Sequence, residues 1–540
     1  MFVDPRLRRR LIYALLVVVG FALAIAGYYF FLKPPDRVPA PSGNRGEATF
    51  NLKPALPQHP QIQVYMNQSE ASVYADPYRN IKRYGDNFEQ IIVDAIKGAK
   101  RSVDVAVQEF RLPNIAKAMI EKHRQGVKVR LIIENTYNKG YSEFTPAEIA
   151  KFNEREKHKY EDFLAFADLN KDGKISREEA LERDTIVMIK DARLPYIDDT
   201  ADGSKGSGLM HHKFTIIDGE MVLHGSANYT MSDMHGDAGR PETVGNANNF
   251  VVVKDRAIAQ YFTEEFNLMW GDGPGGQTDS LFGTKKPHRP PKDFQVGDAK
   301  VTVKFSPDPR KTDYEVTSNG LISRTLNTAN SSVDMALFVF AEPYIGNMLE
   351  EKHNKGVKIR ALVERGFAYR EYATTLDMWG LLSTQDCRYG NQRPWGNPIT
   401  TVGVHNTIRG DMLHHKFGLV DKRRVVMGSH NWSMNANYTN DETLMVIDHP
   451  TVAAHYEREF ERLFANSTLG PNEKATERAP RSCDELQAST RKGPKRTRRS
   501  NRRKRNRREE ADVVADQPRG TTPRVSEPNP SSSNLEEDEE

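Results

Sequence analysis

His211, Lys213 and Asp218 recur as His414, Lys416 and Asp421, each set in the pattern H-x-K-x4-D. Each triplet is followed by the same second element, Gly225-Ser226-Ala227-Asn228 and Gly428-Ser429-His430-Asn431. The step from histidine to glycine is 14 residues in both (225 − 211 and 428 − 414). A lone H-x-K carries little information; two copies with a matched G-S-x-N at one spacing define a duplicated chemical unit. An imidazole, an ammonium, a hydroxyl and an amide suit a phosphate. The cation and the neutral donors hold its oxygens, and the ring attacks phosphorus or passes a proton. Two facing units give two histidines, one free to form a covalent phosphohistidine and the other to protonate the leaving oxygen and then activate water. Lysines supply the charge stabilisation, so this chemistry needs no metal.

Each motif reads as strand, turn, strand: LMHHKFTIID, a short turn, then VLHGSAN. Period-2 alternation places His211 with Lys213 on one face and His212 on the other, and selects His414 and Lys416 over His415 in the second copy. Ser226 and Asn228 share a face, as do Ser429 and Asn431, and all four are candidate phosphate-binding groups. The duplication extends upstream. Val103-Asp104-Val105-Ala106-Val107 matches Val333-Asp334-Met335-Ala336-Leu337, and Gly126-Val127-Lys128-Val129-Arg130 matches Gly356-Val357-Lys358-Ile359-Arg360. Each unit reads as strand, amphipathic helix, glycine stop, strand, which predicts a layered α/β fold.

At these paired motifs the chain resembles the phospholipase D superfamily, over most of residues 60–470. The resemblance implies two α/β lobes with one active site between them, and phosphodiester hydrolysis or transfer through a phosphohistidine. It carries over a catalytic role to His211 with Lys213 and to His414 with Lys416, and a supporting role to Asp218 and Asp421. His211 is taken as the nucleophile and His414 as the acid/base. The family often places a histidine-orienting carboxylate before the last strand of a lobe. The second lobe has Asn440-Asp441-Glu442 there, making Glu442 a candidate; the first has Asn246-Ala247-Asn248, an amide that orients a ring without raising its basicity as a carboxylate would.

His123 to its repeat mate His353 is 230 residues, whereas His211 to His414 is 203, so the first lobe carries a net 27 extra residues. That interval holds Asp168-Leu169-Asn170-Lys171-Asp172-Gly173-Lys174-Ile175-Ser176-Arg177-Glu178-Glu179. It fits the calcium loop D-x-N-x-D-G-x5-E and resembles a single EF-hand over about 146–185. Asp168, Asn170, Asp172, Ser176 and Glu179 offer side-chain oxygens and Lys174 its carbonyl, with calcium structural or regulatory. A helix over 146–166 is expected before the loop. Asp198 to Gly203 lacks the closing glutamate (Leu209 stands there) and reads as an ordinary loop.

The chain has 540 residues and a formal charge of only +4, unevenly placed. Arg6, Arg8, Arg9 and Arg10 precede an apolar run over 11–32, about 33 Å long as a helix at 1.5 Å per residue. This reads as a single-pass anchor with the arginines cytoplasmic and the lobes extracytoplasmic, the rival being a cleaved signal peptide. Pro-rich 33–59 and Gly/Pro-rich 271–298 read as linkers bounding lobes at 60–270 and 299–469. The tail, 470–540, reads as disordered, with a basic block from Arg491 to Arg508 and an acidic end. Cys387 and Cys483 are the only cysteines, and their pairing is left open. The anchor favours a membrane phospholipid substrate. The basic tail supports nucleic acid as the runner-up, and a non-catalytic calcium-responsive binding protein is the third reading.

Overall fold

The computed structural model describes residues 50–204, 208–383, 387, 393–479 and 482–484. Two sheets repeat one plan. The first orders its strands Ile62–Met66, Asn249–Val253, Met221–Gly225, Lys213–Ile217, Ser102–Val107, Lys128–Ile133, Tyr196–Asp198. The last three run parallel to one another and the other pairs are antiparallel. The second sheet repeats the order with Ala299–Ser306, Glu442–Asp448, Arg424–Gly428, Lys416–Val420, Ser332–Leu337, Lys358–Val363, Val402–His405. It adds Lys292–Val296 at one edge and Ser467–Leu469 at the other. Register agrees too: Val107 lies opposite Lys213, and Leu337 opposite Lys416.

The strands are near-continuous apolar runs because both faces of each sheet are covered. Alternate residues of one strand join different cores. Val251 and Val253 face the space between the sheets, while Phe250 and Val252 face the outer helices of their own lobe. Helices Phe88–Gly98 and Pro113–Arg124 cover the outside of the first sheet, and Ser318–Asn327 and Pro343–Asn354 the outside of the second. Between the sheets lie helices Arg256–Trp270 and Pro450–Ala465. Their Phe262, Phe266, Tyr456 and Phe460 share one cluster with Phe214, Phe305 and Phe417 from both sheets. Each fully buried ring contributes roughly 1.5–3 kcal/mol, so the two lobes are one cohesive body and the site at their junction has a rigid frame.

Several boundaries differ from the sequence reading. The helix expected over 146–166 is two: Pro146–Ile149 and Glu154–Ala167. Asn153 restarts the chain with a capping box, its side chain accepting from Glu156 N–H while Glu156 accepts from the Asn153 N–H. The second-lobe sheet begins at Lys292, inside the expected linker, where Lys292–Val296 pairs with Ala299–Val303. The rest of that linker is packed: Phe282 is fully buried and Lys286 nearly so. Residues 52–59 before the first lobe are also tied down, with the Arg458 guanidinium donating to Pro54 O at 2.6 Å. Cys387 and Cys483 form a disulfide, with Cα atoms 5.2 Å apart. Among the described residues no helix is long and apolar enough to cross a membrane. The 11–32 run and the basic tail block lie outside those residues.

Candidate active site

The motif strands start at the lysines, not before them. The histidine of each motif sits just upstream, where the chain leaves its own sheet and pairs with the other lobe. His211 N–H donates to Asp441 O (2.9 Å) and Asp441 N–H to Leu209 O (2.8 Å). Reciprocally, Ala247 N–H donates to Met412 O (2.8 Å) and His414 N–H to Ala247 O (3.0 Å). The side chains follow the backbone. His211 Nδ1 meets Glu442 Oε2 at 2.7 Å, and His414 Nδ1 meets Asn248 Oδ1 at 3.0 Å. Each lobe thus orients the histidine of the other, a pairing that motif spacing within one lobe does not reveal.

A carboxylate or amide oxygen only accepts, so each Nδ1 carries the ring proton and each Nε2 keeps its lone pair. Ser429 Oγ donates to Glu442 Oε2 (2.7 Å) and Ser226 Oγ to Asn248 Oδ1 (2.6 Å). The two serines therefore sit behind the histidines, fixing the groups that orient them. Burial, then the ammonium groups of Lys213 and Lys416, hold both rings well below the usual histidine range.

Lys213 Nζ donates to His211 O (2.9 Å) and Gln108 Oε1 (3.3 Å). Lys416 Nζ donates to His414 O (2.6 Å) and lies over the Phe338 ring, 4.7 Å from its centroid. Burial lowers Lys213 to about 8 against the pull of Glu442, Asp233 and Glu109. Burial together with Lys213 lowers Lys416 well below its ordinary range. Two buried ammonium groups close enough to repel, both resting on neutral acceptors, form a site that gains from an anion. The Phe338 ring also meets His414 edge-on at 4.7 Å. Phe338 follows its strand as Gln108 follows the matching strand, so one wall of the site is aromatic and the other polar. Asn228 and Asn431 are half-buried: Asn228 Oδ1 accepts from Glu109 N–H at 3.4 Å, and Asn431 Oδ1 is buried without a partner among the described residues.

Asp218 and Asp421, grouped with the catalytic residues by motif, stand at the far end of the motif strands. Asp218 accepts from the N–H groups of Lys100, Arg101 and Ser102. Asp421 accepts from those of Asn330, Ser331 and Ser332. Burial raises the Asp421 carboxyl, but the amides and the Ser331 hydroxyl outweigh it and hold it at about 2. Both cap the turn that feeds the neighbouring strand, a supporting place remote from the histidines. The second histidine of each motif is fully buried and ties the lobes together. His212 Nδ1 bonds Thr443 Oγ1 (2.8 Å), and His415 Nδ1 accepts from Asn249 Nδ2 (3.0 Å) while its Nε2 faces Glu459 at 2.9 Å.

Asp233 was not singled out from the sequence. It lies on the short helix Met231–Met234, 3% exposed, with Oδ1 at 3.6 Å from His414 Nδ1.

The family described as "Cardiolipin synthase, PLD-like domain" matches residues 92–270 and 322–464, which is more than half of the chain and contains both motifs. The chain belongs to this family. Its phospholipase D-like lobes are those of the two sheets, and the matched stretches stop short of the apolar 11–32 run and the tail. Mitochondrial cardiolipin hydrolase of Homo sapiens is 30% identical over 141 residues, 26% of this chain and 48% of that protein. The Xenopus tropicalis protein of the same name is 26% identical over 136 residues, 25% of this chain and 56% of the relative. The chain thus spans about half the length of these curated relatives. The crystal structure of phosphatidylserine synthase from Haemophilus influenzae aligns with 85% of this chain and 96% of its own, at 12% identity and a TM-score of 0.49.

Among the described residues, two places have donor types suited to a cation. In the 168–179 loop, Asp168 accepts from the N–H of Asp172 (3.1 Å) and Gly173 (2.8 Å), and Glu179 from those of Leu169 (2.8 Å) and Ser176 (2.8 Å). Both carboxylates are thus tied to the loop's own amides, and Gly173, at φ 81°, makes its sharp turn. His59, Asp298 and His449 converge, but there the tautomers decide against a cation. His59 Nδ1 accepts from Gln61 and Ile62 N–H, and His449 Nδ1 from Thr451 N–H. Each Nε2 therefore carries the proton and donates to Asp298, at 2.9 and 3.2 Å, making a hydrogen-bonded clasp.

Proposed function

We propose that this chain is a membrane-anchored phosphodiesterase of the phospholipase D superfamily that cleaves phospholipid phosphodiester bonds through a phosphohistidine. The observation that carries the reading is the pair of histidines from opposite lobes, each with Nδ1 fixed and Nε2 unprotonated, beside two buried lysines whose hydrogen bonds go to neutral acceptors. A bound phosphodiester places its negative charge against Lys213 and Lys416 and relieves their repulsion. That charge also reverses part of the field that depresses the rings, so His414 takes up a proton as substrate arrives. His211 Nε2 attacks phosphorus, the phosphorus–nitrogen bond forms, and the ester bond breaks. The leaving alkoxide takes the proton from His414 Nε2. Water then attacks phosphorus and yields its proton to the now neutral His414. The phosphorus–nitrogen electrons return to His211.

The apolar run over 11–32 with its arginines supports a membrane substrate. The Cys387–Cys483 disulfide suits lobes in an oxidising compartment outside the cytoplasm. The relatives named for cardiolipin hydrolysis point to the same substrate class. The test offers the full chain cardiolipin-containing vesicles and labelled single-stranded DNA side by side, with His211→Ala as control. Head-group or phosphatidate release that needs His211 is expected. DNA cleavage that needs His211, with lipid untouched, replaces this reading with a nuclease whose basic block at 491–508 gathers substrate.

Calcium is proposed for the 168–179 loop, held by Asp168, Asn170, Asp172, Ser176, Glu179 and the Lys174 carbonyl, as a structural element of the insertion. Adding calcium is expected to raise the unfolding temperature of the wild type and not of Glu179→Gln, read by differential scanning calorimetry. Identical melting of both with and without calcium sinks the assignment.

A further inference from the structure

The two lobes satisfy their orienting groups by the same scheme, with one exchange. In the second lobe, Asn440 Oδ1 accepts from Leu209 N–H (3.2 Å) of the opposite motif segment, and its Nδ2 reaches the Glu442 carboxylate (3.3 Å) that holds His211. In the first lobe, Asn246 Oδ1 accepts from Met412 N–H (2.8 Å), the matching backbone position, and its Nδ2 donates to Asp233 Oδ1 at 2.6 Å. The asparagine that marks the orienting carboxylate in one lobe therefore points to Asp233 in the other. Asn248, which occupies the place of Glu442, touches His414 directly but brings no charge. Its Nδ2 donates to Asp233 O (3.1 Å) and lies 3.5 Å from Asp233 Oδ1. Asp233 Oδ2 is fixed by the Asn228 N–H at 2.7 Å.

We propose that Asp233 is the positioning residue for His414, supplying from a neighbouring helix the negative charge that Asn248 lacks. At 3.6 Å from Nδ1 the carboxylate sits beside the ring rather than on it. It stabilises the imidazolium while Asn248 sets its angle. The inference rests on the hydrolytic reading above and assigns a role within it.

The test measures kcat against pH for hydrolysis of a chromogenic phosphodiester by the full chain. The variants are Asp233→Asn, the exchange variant Asp233→Asn/Asn248→Asp, and His414→Ala. Asp233→Asn is expected to lower kcat about 10²-fold and to move the limb belonging to His414 about one unit to lower pH, since an opposite charge nearby favours the charged ring. The exchange variant returns one carboxylate to the ring, in the position Glu442 holds in the other lobe. It is expected to recover at least about ten-fold of the lost kcat and to move the limb back. A merely structural Asp233 predicts no such rescue. If His414→Ala is inert and Asp233→Asn matches the wild type in kcat and pH limb, the inference is overturned. It is overturned equally if the exchange variant, melting like the wild type, is no better than Asp233→Asn. If His414→Ala keeps full activity, the hydrolytic reading itself fails, and the role given to Asp233 falls with it.

Discussion

His211→Ala and His414→Ala are each expected to lose about 10⁴-fold or more in turnover, yet to fail at different steps. With His211 removed, nothing bonds to phosphorus and no phosphoenzyme forms. With His414 removed, a substrate whose leaving group needs no proton, such as a nitrophenyl ester, still phosphorylates His211. Water then lacks its general base, and the phosphoenzyme accumulates. Protein from the second variant, quenched in detergent at alkaline pH, should carry label from a phosphorus-labelled ester, sensitive to acid and stable to base as a phosphoramidate is. Label on His211→Ala and none on His414→Ala would reverse the roles of the two rings. Label on neither, with activity retained, would remove both from the mechanism.

The second large effect concerns stability. Lys286→Met is expected to destabilise the chain by about 3–5 kcal/mol. Lys286 Nζ contacts Glu265 of the first-lobe inner helix, reaches Asp441 Oδ1 at 2.7 Å in the second lobe, and donates to Ser306 O at 3.2 Å. Burial alone would lower its pKa, but Asp441 and Glu265 more than offset that and keep it raised. Removing the cation leaves two carboxylates buried, with Arg289 still opposite Glu265 at 2.8 Å and the His212 ring at 3.4 Å. Neutralising one of them, as in Lys286→Met/Asp441→Asn, should recover part of the loss. A change below about 1 kcal/mol in denaturant unfolding would show that water reaches this cluster and that burial adds little to it.

These two predictions mark what the sequence discloses and what it withholds. His211, Lys213, His414 and Lys416 are legible because identical chemistry at identical spacing survives in one dimension, and the strand–helix–strand unit of each lobe follows from the repeat. Lys286 is not legible. It stands in a Gly/Pro-rich stretch that reads as a spacer, and only the folded chain shows that this stretch runs between two buried carboxylates. Glu442 is legible as an orienting carboxylate, but its partner is not, because spacing within a lobe cannot say that the pair crosses to the other lobe. Asp233 is hidden for a related reason. It follows Gly225 by eight residues, and the same step from Gly428 lands on Ala436, so comparing the repeats argues against it. The continuous helix expected before the calcium loop fails at Asn153, where local capping outcompetes continuation.

The crossing of orienting groups has a consequence for how the molecule divides. Neither half is a smaller version of the whole. Cut between the sheets, the first would keep His211 without Glu442 and the second His414 without Asn248 or Asp233. Each ring would be free to choose its tautomer and its angle. Competence therefore belongs to the junction, and two inert fragments that dock correctly would complement one another, as subunits of a homodimer do when each lends the other half a centre. The covalent link from Gly271 onward makes that encounter intramolecular, so the two unequal halves can diverge in their rings' surroundings without losing their partner.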